Sequence, residues 1–197
     1  MPLETFLSMA SFAFVMAFTP GPNNVMLTAS GANFGLARTT PHIVGVVLGY
    51  MVLLCAAGAG LGAVIVAFPD IQTVLKVVGS VYMLWLAWKV AHAGKAGDDG
   101  DAAQPLTFLQ AAAFQCVNPK GLIIALGAVA LFVHPESALR DFLMMLAVFS
   151  VATMLSALTW AGFGVALRTV LRNERHARIF NVVMALLLVA SIVPMIL

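Results

Sequence analysis

The segment Thr19-Pro20-Gly21-Pro22-Asn23-Asn24 interrupts an apolar run that extends from residue 5 to residue 28. A proline inside a helix has no amide hydrogen and displaces the carbonyl group four residues earlier, so the segment predicts a break in a helix. The run contains no charged side chain and exceeds the roughly 20 residues that a helix needs to cross a bilayer. We therefore expect a broken transmembrane helix at the start of the chain.

Five further stretches are long and nearly free of charge: residues 43–68, 71–92, 108–133, 142–166 and 179–197. None shows the polar alternation of a transmembrane strand. Of the 197 residues, 62% are hydrophobic and only 9% are charged, against about 25% charged in soluble domains. The composition excludes a soluble globular protein and predicts an all-α integral membrane protein of six transmembrane helices, in a single domain over residues 1–197.

The basic residues predict how the helices are oriented, because Lys and Arg resist translocation. Seven lie on the side of the first, third and fifth loops: Arg38, Lys89, Lys95, Arg168, Arg172, Arg175 and Arg178. The other side has Arg140 and Lys76, so both termini are expected outside the cytoplasm. The first run has an acidic Glu4 and no basic residue before Arg38, which favours a retained helix over a cleaved signal. Basic side chains at the cytoplasmic ends are expected to contact lipid headgroups, and the net charge of +2 indicates no nucleic-acid partner.

A second set of helix breakers, Asn118-Pro119-Lys120-Gly121, lies near the middle of the fourth apolar stretch. Pro20 and Pro119 are 99 residues apart, close to half the chain, and a Gly, Ala and Asp-rich linker at 93–105 separates two halves of three spans each. Because three is an odd number, the second half enters the membrane upside down relative to the first. The pattern predicts two inverted repeats, about 1–92 and 106–197, whose broken first and fourth helices meet near the midplane, as in transporters.

The two breaks have the chemistry to bind a small zwitterion. The prolines are expected to free the carbonyl groups of Met16, Phe18 and Gln115, which together with asparagine side chains suit an ammonium group. The first-turn amides of 23–25 and 120–122, at the positive ends of new helices, suit a carboxylate.

Lys120 lies near the centre of the fourth span, where an ionised side chain costs about 2.5 to 3.5 kcal/mol. It is expected to bind a substrate carboxylate or to titrate. No acidic residue lies deep in any span, so proton coupling requires Lys120 or a group that the sequence does not reveal.

The cysteine and histidine residues do not form a pattern typical of a redox, metal or enzymatic site. Cys55 and Cys116 are interpreted as buried thiols in unmatched spans, and His42, His92, His134 and His176 as residues of loops or span ends. No metal site, hydrolase triad or phosphate loop is apparent, and we expect no enzymatic activity. The glycine pairs 31/35, 45/49 and 58/62 are expected to allow close helix contact. Two alternatives stay open: an exporter of inorganic or metal ions, and a membrane thiol-disulfide electron carrier.

Several motifs together resemble the LysE/RhtB family of bacterial amino-acid exporters. They are Thr19-Pro20-Gly21-Pro22-Asn23, Gly45 and Gly49, the run from Leu75 to Tyr82 with Leu84-Trp85-Leu86, and Asn118-Pro119-Lys120. The resemblance covers essentially the whole chain. It implies efflux of amino acids or their derivatives across the bacterial inner membrane, driven by the proton motive force, with no bound organic cofactor. With the glycine pairs, it also suggests a homodimer.

The candidate substrate-binding or pore residues are those of the two motifs and the neighbouring asparagine: Pro20, Gly21, Pro22, Asn23, Asn24, Asn118, Pro119 and Lys120. Three departures from the family pattern are visible. Tyr50 follows the second glycine of span two, where many relatives have a polar or acidic residue, so neutral amino acids are favoured over lysine or arginine. Asn181 stands where a small residue is usual, and the Pro-Gln-Phe common after span four is absent.

Overall fold

The computed structural model describes residues 1–93 and 104–193, and every regular element within them is helical. The α-helices are α1 (Leu3–Phe18), α2 (Pro22–Ala56), α3 (Gly62–Ala67), α4 (Pro69–Ala91), α5 (Phe108–Val117), α6 (Pro119–Phe132), α7 (Ala138–Leu167) and α8 (Glu174–Ala190). A π-helical turn, Ala57–Leu61, joins α2 to α3, and 3-10 turns at Pro135–Ser137 and Val170–Arg172 precede α7 and α8. Most of the linker expected at 93–105, Lys95 within it, and residues 194–197 lie outside the described residues.

Helix breaks occur at both predicted positions. The first lies between Phe18 and Pro22, and the second is a bend of 65° between α5 and α6 at Asn118. The spacing of 99 residues pairs Pro20 with Pro119, but in the structure Pro22 and Pro119 are the counterparts, because each begins the helix after its break. Proline is well tolerated at the first helical position, where its missing amide hydrogen would have no acceptor. Pro20 lies in the connection before it.

The loop expected between the first and second spans is a turn at a single residue. Residues on both sides of Gly35 are helical, whereas Gly35 itself has φ 78° and ψ 169°, so α2 consists of two helices. This left-handed region favours glycine, which has no Cβ. A Cβ there would also lie 2.9 Å from Nη1 of Arg168. The second span therefore begins near residue 36, earlier than the predicted residue 43.

The second span ends irregularly. The π-helical turn contains Gly60 at φ 101°, and only Phe68 separates α3 from α4. The tight hairpin predicted at this point is confirmed, but the distortion inside the span was not expected from the sequence. Glycines within an apolar run do not by themselves distinguish a regular helix from a distorted one.

Three continuous stretches are long and apolar enough to cross a membrane: Pro22–Ala67, Asp70–Ala91 and Pro135–Leu167. The bent pair formed by α5 and α6 meets the same criterion when it is counted as one span, and α1 is a shorter apolar helix. The chain is thus a multi-pass membrane protein whose regular elements, over the described residues, are all helical. The number of six spans and their inverted arrangement stay predictions.

Glycines allow the helices to approach closely. Gly31 of α2 faces the backbone of Ala161, and Gly164 of α7 faces the backbone of Thr28, so these two helices touch without intervening side chains. Gly45 and Gly49 lie in the same way against α5. The predicted packing role is therefore confirmed for Gly31, Gly45 and Gly49, whereas Gly35 forms the turn.

Asn181 connects three helices at the opposite end of the molecule from α3. Its side chain is fully buried, accepts a hydrogen bond of 3.0 Å from Nδ2 of Asn33, and donates one of 2.6 Å to the carbonyl of Ala93. A buried amide is stabilising only when its donors and acceptors are paired, as they are here. This position, unusual for the resembled family, thus joins α8 to α2 and to the end of α4.

Candidate functional site

A cavity lies where the two helix breaks meet, with about 560 Å³ of empty volume including the open space at its mouth. Its wall is completed by α7 and by the face of α2 that carries Val46 and Tyr50. Six of the eight predicted site residues line it: Gly21, Pro22, Asn23, Asn24, Asn118 and Lys120. Pro20 is exposed, and neither Pro20 nor Pro119 lines the cavity. The two breaks, far apart in the chain, therefore share one space.

Asn24 holds the first break in shape. Its Nδ2 donates to the carbonyl groups of Ala17, at 3.1 Å, and Thr19, at 2.9 Å. Ser156 of α7 donates a second hydrogen bond to Ala17, at 2.7 Å. The expectation named the carbonyls of Met16 and Phe18, whereas these side chains bind those of Ala17 and Thr19. Unpaired carbonyl groups are costly in a membrane, so these bonds stabilise the break.

Lys120 reaches across the cavity from the second break to the first. Its ammonium group donates a hydrogen bond to the carbonyl of Thr19. The side chain passes directly over Gly21, where a Cβ would lie 2.8 Å from Cδ and 3.2 Å from Nζ of the lysine. The extended backbone of Gly21 could be adopted by any residue, so what its missing Cβ provides is room for the lysine to pass close to the chain. A lysine placed in this way can exchange the carbonyl for a substrate carboxylate.

Asn23 pairs with a side chain that was not predicted, on a residue for which the sequence indicated only a freed backbone carbonyl. It donates to Oε1 of Gln115 at 2.9 Å and accepts from Nε2 of Gln115 at 3.1 Å. Gln115 is fully buried and precedes Pro119 by four residues. A polar side chain in the middle of an apolar stretch is the signal that could have found it. This pair joins the two breaks, and Oδ1 of Asn23 keeps a second lone pair, so its predicted contact with an ammonium group stays a prediction.

Two polar atoms on the cavity wall have no hydrogen-bond partner among the described residues. They are Oδ1 of Asn118, a residue 2% exposed, and the hydroxyl of Tyr50, which is 7% exposed. Buried polar atoms are paired in the great majority of cases, so such exceptions call for an explanation. An amide oxygen accepts, and a tyrosine hydroxyl also donates. Together they can bind an ammonium group and a carboxylate.

At the starts of α2 and α6, fewer backbone amide groups lack a hydrogen-bond acceptor than the sequence predicted. Val25 donates to the carbonyl of Gly21, and Leu122 donates to that of Asn118, both at 3.0 Å. Proline has no amide hydrogen, so the first-turn amides without an intrahelical acceptor are those of Asn23, Asn24, Lys120 and Gly121. The prediction that included Val25 and Leu122 was wrong by one residue at each break. Both helix starts still present a partial positive charge to the cavity.

The groups considered for other chemistry lie elsewhere. Cys55 and Cys116 are free and exposed, which corrects their interpretation as buried thiols. Within the described part of the chain, no three His, Cys, Asp or Glu side chains are grouped so as to hold a metal ion. His92, His134 and His176 lie at helix ends as predicted, but His42 is buried within α2, contrary to expectation.

Comparison with known proteins gives a consistent result over most of the chain. The family model described as LysE type translocator matches residues 14–192. The curated proteins named cysteine/O-acetylserine efflux protein from Escherichia coli strain K12, E. coli O9:H4 strain HS and Shigella flexneri serotype 5b are each 30% identical over 181 residues, which is 91% of this chain and 91% of theirs. No solved structure matches the chain.

Proposed function

Since the chain belongs to the LysE type translocator family, we propose that it is a secondary exporter of small, neutral amino acids or their derivatives in the bacterial inner membrane. Cysteine and O-acetylserine, which the names of its relatives give as their substrates, are the first candidates. The observation that carries the proposal is the cavity at the two breaks, where Lys120, Asn118 and Tyr50 present complementary polar groups.

The binding mode follows from the charges that face the cavity. The substrate carboxylate takes the place of the Thr19 carbonyl at the Lys120 ammonium and accepts a second hydrogen bond from the Tyr50 hydroxyl. Its ammonium group donates to Oδ1 of Asn118. Met16, Ile124 and Phe149 leave an apolar space for a short side chain.

The same lining supports the preference for neutral substrates. No Asp or Glu lies among the described residues that form the cavity wall. A lysine or arginine substrate would bring a second positive charge beside Lys120 without a carboxylate to pair it, and an unpaired buried charge is strongly unfavourable. A neutral zwitterion brings no such excess charge.

Transport requires that the cavity open to each side in turn. We propose that the two halves, residues 1–92 and 106–197, rock around the breaks as inverted repeats. The hydrogen bond from Lys120 to Thr19 joins the halves across the cavity and breaks when the substrate carboxylate enters. The proton motive force drives the cycle, with both termini outside the cytoplasm and without a bound cofactor.

The experiment that tests this function is counterflow with purified protein in liposomes. Vesicles loaded with unlabelled amino acid should accumulate the same labelled amino acid when it is cysteine, O-acetylserine or another small neutral species. Lysine and arginine should not be accumulated. Cells that overproduce the chain should also resist a toxic load of the transported compound. Absence of counterflow for every amino acid in a full panel, with protein confirmed in the vesicles, would contradict the proposal.

A further inference from the structure

His42 is a buried histidine that the proposed binding cavity leaves unexplained. It lies in the second helical part of α2 and is only 1% exposed. Both of its ring nitrogens lack a hydrogen-bond partner within the described part of the chain. Buried polar groups without partners are rare and often have a chemical role. Histidine is also the side chain whose charge ordinarily changes between about pH 5 and 8.

His42 lines a second cavity, which has about 1160 Å³ of empty volume including the open space at its mouth. This cavity lies between α2 and the end of α4, and its wall includes Ser30, Asn33, Trp85 and Lys89. It is large enough to hold several water molecules beside His42. On the predicted orientation it lies toward the cytoplasm, because the end of α4 and residues 104–106 form its rim.

One face of α2 connects the two cavities. His42 faces the second cavity, whereas Val46 and Tyr50 line the cavity at the breaks. Residues at i, i+4 and i+8 lie on one side of a helix, about 6 Å apart per step. His42 thus lies two helical turns from the proposed substrate contact at Tyr50.

Several nearby polar side chains are paired with one another, whereas Oδ1 of Asn33 on the same cavity wall has no partner among the described residues. Ser30 and Thr39 form a hydrogen bond of 3.0 Å, and Thr39 also donates to the carbonyl of Gly35 at 2.8 Å. Asn33 donates to Asn181. None of these bonds involves the imidazole, whose two ring nitrogens are buried and exchange a proton only when water reaches them.

The charges that face α2 come from several elements. On α4, Lys89 and His92 line the same cavity as His42. Arg168, at the end of α7, lies against Gly35, and α6 contributes Lys120 to the other cavity. The described length of α5 has no acidic or basic residue, and the charged residues of α8, Glu174, Arg175, His176 and Arg178, lie in its first two turns. A proton on His42 would therefore add positive charge to a space with a lysine and no acidic residue among its described lining.

We propose that His42 carries the counter-proton of the transport cycle, an assignment that rests on the proposed export function. In the outward-open state a ring nitrogen forms an N–H bond with a proton from external water. In the inward-open state that bond breaks and the proton passes to cytoplasmic water, with no change of oxidation state. Repulsion from Lys89 and the lack of a partner disfavour the imidazolium while the ring nitrogens are buried, so protonation favours a state in which water reaches them. One zwitterion leaves for each proton that enters, which moves one positive charge inward.

The test separates exchange from coupling in liposomes loaded with the transported amino acid and an internal pH dye. In wild-type vesicles, amino-acid efflux should acidify the interior, because each exported molecule brings in a proton. In H42Q, labelled-for-unlabelled counterflow should persist at a rate close to wild type, whereas efflux-linked acidification should be lost. H92Q is the matched control, since His92 is exposed at the same cavity and its Nδ1 lies 2.8 Å from the Trp88 carbonyl; it should retain both activities.

Acidification that persists in H42Q, or is lost equally in H92Q, would overturn the proposal. If H42Q cannot be purified in a folded state, a second variant tests the proposal. It replaces His92, His134 and His176 by Gln, so that His42 is its single histidine. That variant should stay coupled. Loss of coupling with retained counterflow would exclude His42. Absence of counterflow in wild-type vesicles would instead refute the export function itself, and this proposal with it.

Discussion

Lys120 is the residue on which the proposed site depends most. Its ammonium group is the only described cation on the wall of the cavity at the breaks, where it is held by the Thr19 carbonyl and passes over Gly21. We expect K120A to abolish counterflow while membrane expression is retained, because the carboxylate of the substrate then loses its charged partner. K120R should not restore full activity, since the larger planar guanidinium does not fit over Gly21 as a compact ammonium does.

Quantitative blots of membrane fractions, together with counterflow rates, check this prediction. G21A tests the position of the lysine, because its methyl group would contact the flexible end of Lys120 and not the backbone. It should displace the ammonium group and slow transport with little loss of stability. If K120A shows counterflow at the wild-type rate, Lys120 does not bind the substrate and has only a packing role.

The hydroxyl of Tyr50 offers a second prediction at this scale. It has no partner among the described residues, so Y50F should not destabilise the folded protein. It removes a proposed donor to the carboxylate, and we expect the KM for counterflow to rise about tenfold, equivalent to roughly 1.4 kcal/mol of binding free energy.

Y82F is the matched control for the tyrosine prediction. The Tyr82 hydroxyl donates a hydrogen bond of 3.0 Å to the carbonyl of Gln110, away from the cavity. Its removal should lower stability by about 1 kcal/mol and leave the KM unchanged. Equal KM values for Y50F and wild type would remove Tyr50 from the binding site.

The contact between α2 and α7 is the element-scale feature that holds the first half to the second. Gly164 faces the backbone of Thr28, whereas Gly162, two residues earlier in the same helix, has open space at its Cα. We expect G164A to lower the free energy of unfolding by about 1 to 3 kcal/mol, because backbone atoms cannot move aside as a side chain can. G162A should be neutral or slightly stabilising, since alanine favours a helix more than glycine does.

Thermal unfolding of both variants in the same detergent provides the measurement. Both variants carry a Gly-to-Ala substitution in the same helix, so they differ in what the added methyl group contacts. Similar melting temperatures for the two variants would show that α2 and α7 are not packed backbone to backbone.

The elements also show why only part of the fold could be predicted. Helix breaks at prolines are local events, so both could be placed from the sequence. The turn at Gly35 and the distortion at Gly60 depend on positive φ angles. Glycine permits such angles, but a glycine in the sequence does not predict where they occur. The pairing of Asn23 with Gln115, and the burial of His42, depend on residues far apart in the chain or on other helices. No periodicity within one span carries that information.

The way the elements contact each other supports the proposed inverted repeat. The broken first span lies against α7, the second span of the other half, through Gly31 and Gly164. The second span lies against α5, part of the broken fourth span, through Gly45 and Gly49. The third and sixth spans, α4 and α8, pair with each other. Exchange of the two halves leaves this set of contacts unchanged, as a two-fold axis in the membrane plane requires.

The whole molecule has a predicted orientation that can be tested directly. Basic residues concentrate at the ends of α4 and α7, at the start of α8 and near Gly35, so these positions should face the cytoplasm and both termini should lie outside. Alkaline phosphatase fused after Leu197 should be active and a fluorescent protein at the same point dark. Fusions truncated after Arg172 should show the reverse. An active phosphatase after Arg172 would contradict the orientation.

The backbone contact between Thr28 and Gly164 also has a consequence for biogenesis. Gly164 is synthesised 136 residues after Thr28, which takes about 7 to 27 s at roughly 5 to 20 residues per second. Until then the first helices have left the ribosome without all of their final neighbours, and Asn23 lacks Gln115 until 92 further residues have been added. The insertion machinery must shelter these polar groups from lipid during the interval. Slowed translation of the second half should therefore expose the nascent first half to membrane proteases.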